Sequence, residues 1–153
     1  MSIRNKTGFT LPELLIAVLI IGVIGAIAMY TVNISRAITR DAKRVSDVSV
    51  LRSSLAQYWL QKASYPMNNG VNLAHAGEEA VALTSNGFVG PDGGGTVILS
   101  PLPVGPKSGE FYFYRGSESG YALGFKTERV TAFGSPGLYF AHSSGVDHED
   151  VEK

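Results

Sequence analysis

The chain is 153 residues long, which gives room for one domain and hardly for two. Lys+Arg and Asp+Glu both number 13, so the formal net charge is zero and there is no general attraction to nucleic acid. No cysteine is present, which excludes disulfide scaffolds, thiol catalysis and cysteine-ligated zinc, and 44% hydrophobic against 17% charged residues is too apolar for a disordered chain.

A short polar leader, MSIRNKTG, opens the chain and carries Arg4 and Lys6. From Leu14 to Tyr30 the sequence then reads LLIAVLIIGVIGAIAMY, and Glu13 is the only charged side chain between Phe9 and Ile34. As a helix, Phe9 to Ile34 would be roughly 39 Å long, enough to cross a bilayer core of about 30 Å. A basic leader before an apolar run is a membrane-targeting signal. Three fates are open to it. It is removed by signal peptidase at the A-x-A site Ala26-Ile27-Ala28, it stays as a plain anchor, or it is cut after Gly8 and leaves the apolar helix on the mature chain.

Pro12 and Glu13 discriminate among these. A carboxylate deep in an apolar helix costs about 2.5–3.5 kcal/mol on insertion scales and gives a signal peptide or simple anchor nothing in return. A cut after Gly8 would give Phe9 a new α-amine close to Glu13, and the two opposite charges can neutralise each other in a low-dielectric setting. Pro12 is tolerated in a first helical turn, where its missing N–H would be unpaired anyway. Both residues make sense if the helix starts at about Phe9.

Lys6-Thr7-Gly8-Phe9-Thr10-Leu11-Pro12-Glu13, followed at once by the apolar run, resembles the class III signal of type IV pilins and type II secretion pseudopilins. The resemblance implies that a prepilin peptidase cuts between Gly8 and Phe9 and methylates Phe9. It implies that Glu13 serves filament assembly, and that the partners are further copies, other pilin-like subunits and an assembly platform in the membrane. Arg4 and Lys6 face Arg36, Arg40, Lys43 and Arg44 across the apolar run, and that count alone favours a cytoplasmic C-terminal side. The resemblance implies the opposite, with the leader cytoplasmic and the rest exported, and the motif is followed here.

Ile34, Ile38, Val45, Val48, Leu55 and Trp59 recur at helical steps with charged residues between them, so an amphipathic helix is expected to continue to about Lys62. One helix from Phe9 to Lys62 would be about 81 Å long. Its first half must find lipid or neighbouring copies, and its second half can carry a sheet on the apolar stripe. Gly22 and Gly25 each cost about 1 kcal/mol in helix propensity relative to alanine. Close helix packing through Gly22 and Ala26, or local unwinding in an assembled filament as the family sometimes shows, both account for them. The second helix proline of many pilins is absent.

Ser64-Tyr65-Pro66 is expected to end the helix, because Pro66 biases Tyr65 away from the α region. Met67 to Gly109 reads as loop-rich, with a short helix around Glu78–Leu83, the turn Gly90 to Gly95, and a short strand at Thr96–Leu99. Phe111–Tyr114 and Tyr121–Glu128 read as a hairpin about an Arg115–Gly120 turn, with Tyr121, Leu123 and Phe125 on one face toward the helix, and Leu138–Ala141 as a further strand. The aromatics are assigned to a sheet core rather than to a nucleic-acid stacking surface, since only Arg115, Lys126 and Arg129 lie near them.

His75, His142 and His148 are scattered and form no enzyme constellation, and Asp147 to Lys153 reads as a solvated acidic tail. No cofactor is expected. Some pseudopilins bind calcium, for which Asp92 and Asp147 are the carboxylates to examine, but no spaced ligand set is visible. Asn33-Ile34-Ser35 matches a glycosylation sequon at the membrane boundary. Lacking cysteine, the chain cannot close the C-terminal disulfide of many type IV pilins, which leans toward pseudopilins or a disulfide-free pilin lineage.

The expected organisation is a leader at 1–8, a transmembrane and assembly helix at 9–35, its amphipathic continuation at 36–66, and a loop-and-sheet head at 67–153. The expected fold class is α+β and pilin-like, a long N-terminal helix on a small antiparallel β-sheet. The expected role is a structural filament subunit, in the cytoplasmic membrane before assembly and in an extracytoplasmic filament after it. The competing reading is an exported soluble binding domain released after Ala28. A membrane-anchored enzyme has no site to support it.

Overall fold

The computed structural model describes residues 8–75 and 80–153. One α-helix, α1, runs from Leu11 to Lys62 without a break, 52 residues or roughly 78 Å. The chain divides into two units, one ending at Arg36 and the other spanning Ala37–Lys153. In the first, every described residue but the half-buried Ile34 is exposed.

In the second unit, Ala37, Asp41, Arg44, Val48, Leu51, Leu55 and Tyr58 are buried, with Ser54 beside them. Their spacing alternates four and three residues, the period that keeps one seam of a helix on a flat partner. This corrects the expected stripe. Val48 and Leu55 belong to it, but Ile38 (54% exposed) and Trp59 (37% exposed) lie on the flank, because the buried row includes two charged residues and an alanine that hydropathy alone passes over. The helix ends at Lys62, as expected, and stops ahead of Pro66. Ala63 turns left-handed (φ 53°), and its N–H closes on the Trp59 carbonyl at 2.8 Å.

The partner of α1 is a five-stranded antiparallel sheet in the order β1-β5-β6-β7-β8, formed by β1 (Asn68–Leu73), β5 (Tyr112–Gly116), β6 (Tyr121–Lys126), β7 (Leu138–Ala141) and β8 (Val146–Asp147). A second sheet holds β2 (Ala82–Thr84), β3 (Gly87–Val89) and β4 (Val97–Leu99) in the order β3-β2-β4. The expected helix at Glu78–Leu83 is not seen in its described part, where Ala82 and Leu83 pair with Val89 and Phe88 as strand; Glu78 and Glu79 lie outside the described residues. The β5–β6 turn is shorter than expected, since Arg115 and Gly116 still pair with Ala122 and Tyr121. Tyr121, Leu123 and Phe125 join Leu51, Leu55 and Tyr58 in one core, as their alternation predicts.

That core holds five tyrosines, and buried tyrosine hydroxyls need partners. Tyr112 donates to Asp47 (2.7 Å), Tyr114 to the Pro66 carbonyl (2.8 Å) and Tyr139 to the Ser135 carbonyl (2.6 Å). Burial pushes the Tyr112 and Tyr114 hydroxyls far above their ordinary range of titration. Gly116 makes the Tyr114 contact feasible, because a Cβ there would lie 2.2 Å from the Tyr114 oxygen and 2.5 Å from the Pro66 carbonyl.

A buried charge cluster closes the other end of the core. The Arg44 guanidinium, 2% exposed, grips Glu110 through two bonds (2.6 and 2.8 Å) and also reaches Asp41 (2.6 Å) and Glu128 (2.8 Å). Arg40 holds Glu128 through two more (2.8 and 2.7 Å), and Lys107 adds a third cation at 2.9 Å. Asp41 accepts the backbone N–H groups of Glu128 and Arg129 at 2.8–3.1 Å. The Arg40 bonds, then those of Lys107 and Arg44, hold the Glu128 carboxyl well below the usual carboxylate range.

The acidic C-terminal segment is largely exposed, as expected of a solvated stretch, but it is not a free tail. Asp147 pairs in β8 and accepts from Lys153 (2.9 Å), Lys153 also meets Glu149, Arg115 reaches Asp150 at 3.4 Å, and Ser143 donates to the Lys153 carbonyl (2.9 Å). The chain thus has an α+β, pilin-like arrangement: one long N-terminal apolar helix with antiparallel sheets.

Candidate processing and assembly site

Gly8, Phe9 and Thr10 precede the helix in irregular backbone, and Phe9 is 92% exposed. Among the described residues, no tertiary contact covers the Gly8–Phe9 bond. A Cβ at Gly8 would meet no atom of the described residues within 4 Å. Ala26, Ile27 and Ala28, by contrast, lie in mid-helix with their backbone inside the α1 ladder.

Thr10 stands at the N-cap. Its N–H and its hydroxyl both donate to Glu13 Oε2, each at 2.7 Å, while its carbonyl takes the first helical bond from Leu14 N–H (3.2 Å). This is the reach-back half of a capping box, and a carboxylate there also meets the positive end of the helix dipole. Pro12 falls in the first turn, where it displaces no hydrogen bond. Thr10 was missed as a partner of Glu13, although the Thr-x-x-Glu spacing announces it. The peptide N–H of Thr10 is untouched by a cut at Gly8–Phe9, so this bond can persist in a processed chain.

Along the rest of the segment, large apolar side chains are bare: Leu15 is 63% exposed, Leu19 67% and Ile21 70%. Such a surface needs lipid or other copies to cover it. By length and composition α1 can cross a membrane. Gly22 and Gly25 keep regular helix, and a Cβ at either would meet nothing within 4 Å.

The remaining candidates occupy separate places. Asp92 lies in the turn after β3 and Asp147 in the five-stranded sheet, and no group of three metal-ligating side chains comes together among the described residues. His142 is buried between the Tyr121 carbonyl (2.9 Å) and Asp147 (3.0 Å). His148 contacts the Leu138 carbonyl at 2.7 Å and packs on Tyr139, while His75 sits edge-on to Phe111.

Residues 3–29 match the Prokaryotic N-terminal methylation motif. This is the class III prepilin signal typical of type IV pilins and pseudopilins, and it supports a pilin-like or pseudopilin subunit with a membrane-anchoring helix. The motif also points to a structural subunit rather than an enzyme, and implies processing by prepilin peptidase and assembly with other pilin subunits. No curated protein and no solved structure matches the chain.

Proposed function

We propose that this chain is a structural subunit of a type IV pilus-like filament or of a type II secretion pseudopilus, polymerising through its N-terminal apolar helix. The observation that carries the reading is the contrast at the two scissile bonds: Gly8–Phe9 lies in exposed, non-helical chain within the methylation motif, whereas the bond after Ala28 is inside an unbroken helix. A protease needs extended backbone at the bond it cuts. On this reading prepilin peptidase removes residues 1–8 and methylates Phe9. The apolar helix waits in the cytoplasmic membrane, with the head exported, until an assembly platform transfers it into the filament. There the Phe9 amine and the Glu13 carboxylate supply a polar contact between subunits in a setting with little water. Gly22 and Gly25 give the helix a flexible or closely packed stretch. The absent disulfide favours the pseudopilin branch or a disulfide-free pilin lineage. No cofactor takes part.

Intact mass and N-terminal sequencing of the protein from its host's membranes test this. A mature chain beginning at Phe9 with one added methyl is expected; a soluble chain beginning at Met29 would replace the filament reading by an exported binding domain. Glu13→Gln is expected to lower filament yield by about tenfold or more through loss of the charge pair while leaving membrane insertion intact. Filaments of normal yield from that variant would remove Glu13 from the mechanism.

A further inference from the structure

Of the three histidines only His142, directly after β7, is fully buried, at 0% exposed. Both of its ring nitrogens face oxygen: Nδ1 meets the Tyr121 carbonyl at 2.9 Å and Nε2 meets Asp147 Oδ1 at 3.0 Å. A carbonyl oxygen only accepts hydrogen bonds, and so does an ionised carboxylate. Asp147 is ionised, because the Glu149 amide first, then Lys153 and His142, hold its carboxyl well below the usual carboxylate range. A neutral imidazole has one N–H, so its other nitrogen would set a lone pair against an oxygen lone pair. Only the imidazolium donates in both directions.

The neighbouring charges leave that ring as the group to titrate. Tyr121, Leu123, Tyr139 and Ala141 point into the core, so by alternation Ala122 and His142 lie on the sheet face away from α1. The charged groups on this side are Asp147 on β8, Glu149, Asp150, Glu152 and Lys153 beyond it, and Arg115 on β5. From β6 comes only the Tyr121 carbonyl, since the Tyr121 hydroxyl bonds Arg52 on α1. Glu149 and then Asp147 raise the Lys153 ammonium above its ordinary range, so it stays charged wherever histidine titrates. His148, the other histidine of the segment, is exposed and meets the Leu138 carbonyl through Nδ1.

Asp147 is also where the C-terminal segment is tied together. Its Oδ1 accepts from the Glu149 amide (2.8 Å) and its Oδ2 from the Lys153 ammonium (2.9 Å), while the Lys153 carbonyl accepts from the Ser143 hydroxyl (2.9 Å). The Lys153 backbone in turn lies on Gly120, where a Cβ would come within 2.7 Å of it. β8 is two residues long and at the sheet edge, whereas Tyr121 belongs to a strand paired on both sides. When the ring gives up one proton, the Asp147 contact is therefore the one able to yield. We propose that His142 is a proton-operated lock on residues 143–153: doubly protonated it ties β8 and Lys153 to the sheet, and singly protonated it releases them. The segment is thus held at lower pH and loosens as pH rises, the direction set by contacts that favour the charged ring. The same segment sets Asp150 at the rim of a cleft of about 200 Å³ lined by Phe113, Gly124 and Phe140, so release also opens that face of the sheet. The lock is independent of how the chain is processed or assembled.

The chain has no cysteine, so Val151→Cys, at a position 52% exposed, takes a single nitroxide spin label. Its mobility is read by electron paramagnetic resonance on the full-length, detergent-solubilised chain from about pH 5 to 9, which brackets histidine titration. The ratio of mobile to immobile label is expected to rise about tenfold or more across that range, the size of one hydrogen bond to a charged group. His148→Gln should keep the rise and His142→Gln should abolish it. A level ratio, a rise that survives His142→Gln, or a rise that disappears with His148→Gln would overturn the lock. A fully buried position can resist substitution, so the ring-nitrogen NMR signals of His142 in the labelled chain give a second reading. Both nitrogens are expected to be protonated at the acid end and one at the alkaline end, with a midpoint that coincides with that of the label. A ring carrying one proton throughout, or midpoints that do not coincide, would equally overturn it.

Discussion

The two halves of α1 share one backbone ladder but not one physics. Up to Arg36 the side chains are apolar and bare, and the helix is sustained by its own hydrogen bonds and by whatever covers it. From Ala37 onward the helix buries eight residues, and two of them, Asp41 and Arg44, are charged. The more hydrophobic half is thus the more exposed one. The difference shows that hydropathy marks where a helix must find a partner, whereas the buried row marks where the chain has already supplied one.

Substitutions that separate the halves sharpen this. The largest effect is expected from Arg44→Ala, which strands the buried Asp41 and part of Glu110 and Glu128; the head should lose about 3–5 kcal/mol, read from urea unfolding of the detergent-solubilised chain by tyrosine circular dichroism. Next comes a matched pair of leucines. Leu51→Ala should cost about 2–5 kcal/mol in the same measurement, while Leu19→Ala should stay within about 0.5 kcal/mol because Leu19 is 67% exposed. Equal losses from the two would break the comparison.

Acidification probes the charge cluster alone. Glu128 is held below the usual carboxylate range by Arg40 first, then by Lys107 and Arg44. Its stabilisation is therefore fully present above its unfolded value of about 4.3 and is lost as pH falls toward the lower folded value. The unfolding midpoint of the head should decline from about pH 5 downward, and Glu128→Gln should flatten that decline. An unchanged acid profile in the variant would show that the cluster contributes nothing through Glu128. The smallest effect belongs to the apolar half: Gly22→Ala meets no atom within 4 Å and should stabilise the helix by about 1 kcal/mol, seen as slower amide exchange around residue 22 with an unchanged head.

Much of this was legible in the residues. The processing motif and the run of apolar residues are local, contiguous signals, and so are the alternating aromatics of β6. The length of α1 was read to within two residues at its N-terminal end and correctly at Lys62. What escaped depends on partners far along the chain. Asp41 and Arg44 look like surface charges until Glu110, Glu128 and two loop amides arrive from 66 to 88 residues away. The C-terminal residues look like a free acidic tail until Arg115 and Ser143 are found beside them. Ala82 and Leu83 suit a helix as well as a strand, and only pairing with Phe88 and Val89 decides between them.

The charge cluster bears on time as well as stability. Arg40, Lys43 and Arg44 are made before any strand of the sheet. Asp41 and Asp47 are synthesised with them, but Glu110 and Glu128 come much later. Asp47 and Asp41 can pair with Lys43 and Arg44 as soon as they are made, whereas Arg40 waits for Glu128. The cluster is therefore complete only when the segments flanking β5 and β6 have docked on α1, so it ties the beginning of the head to the last third of the chain.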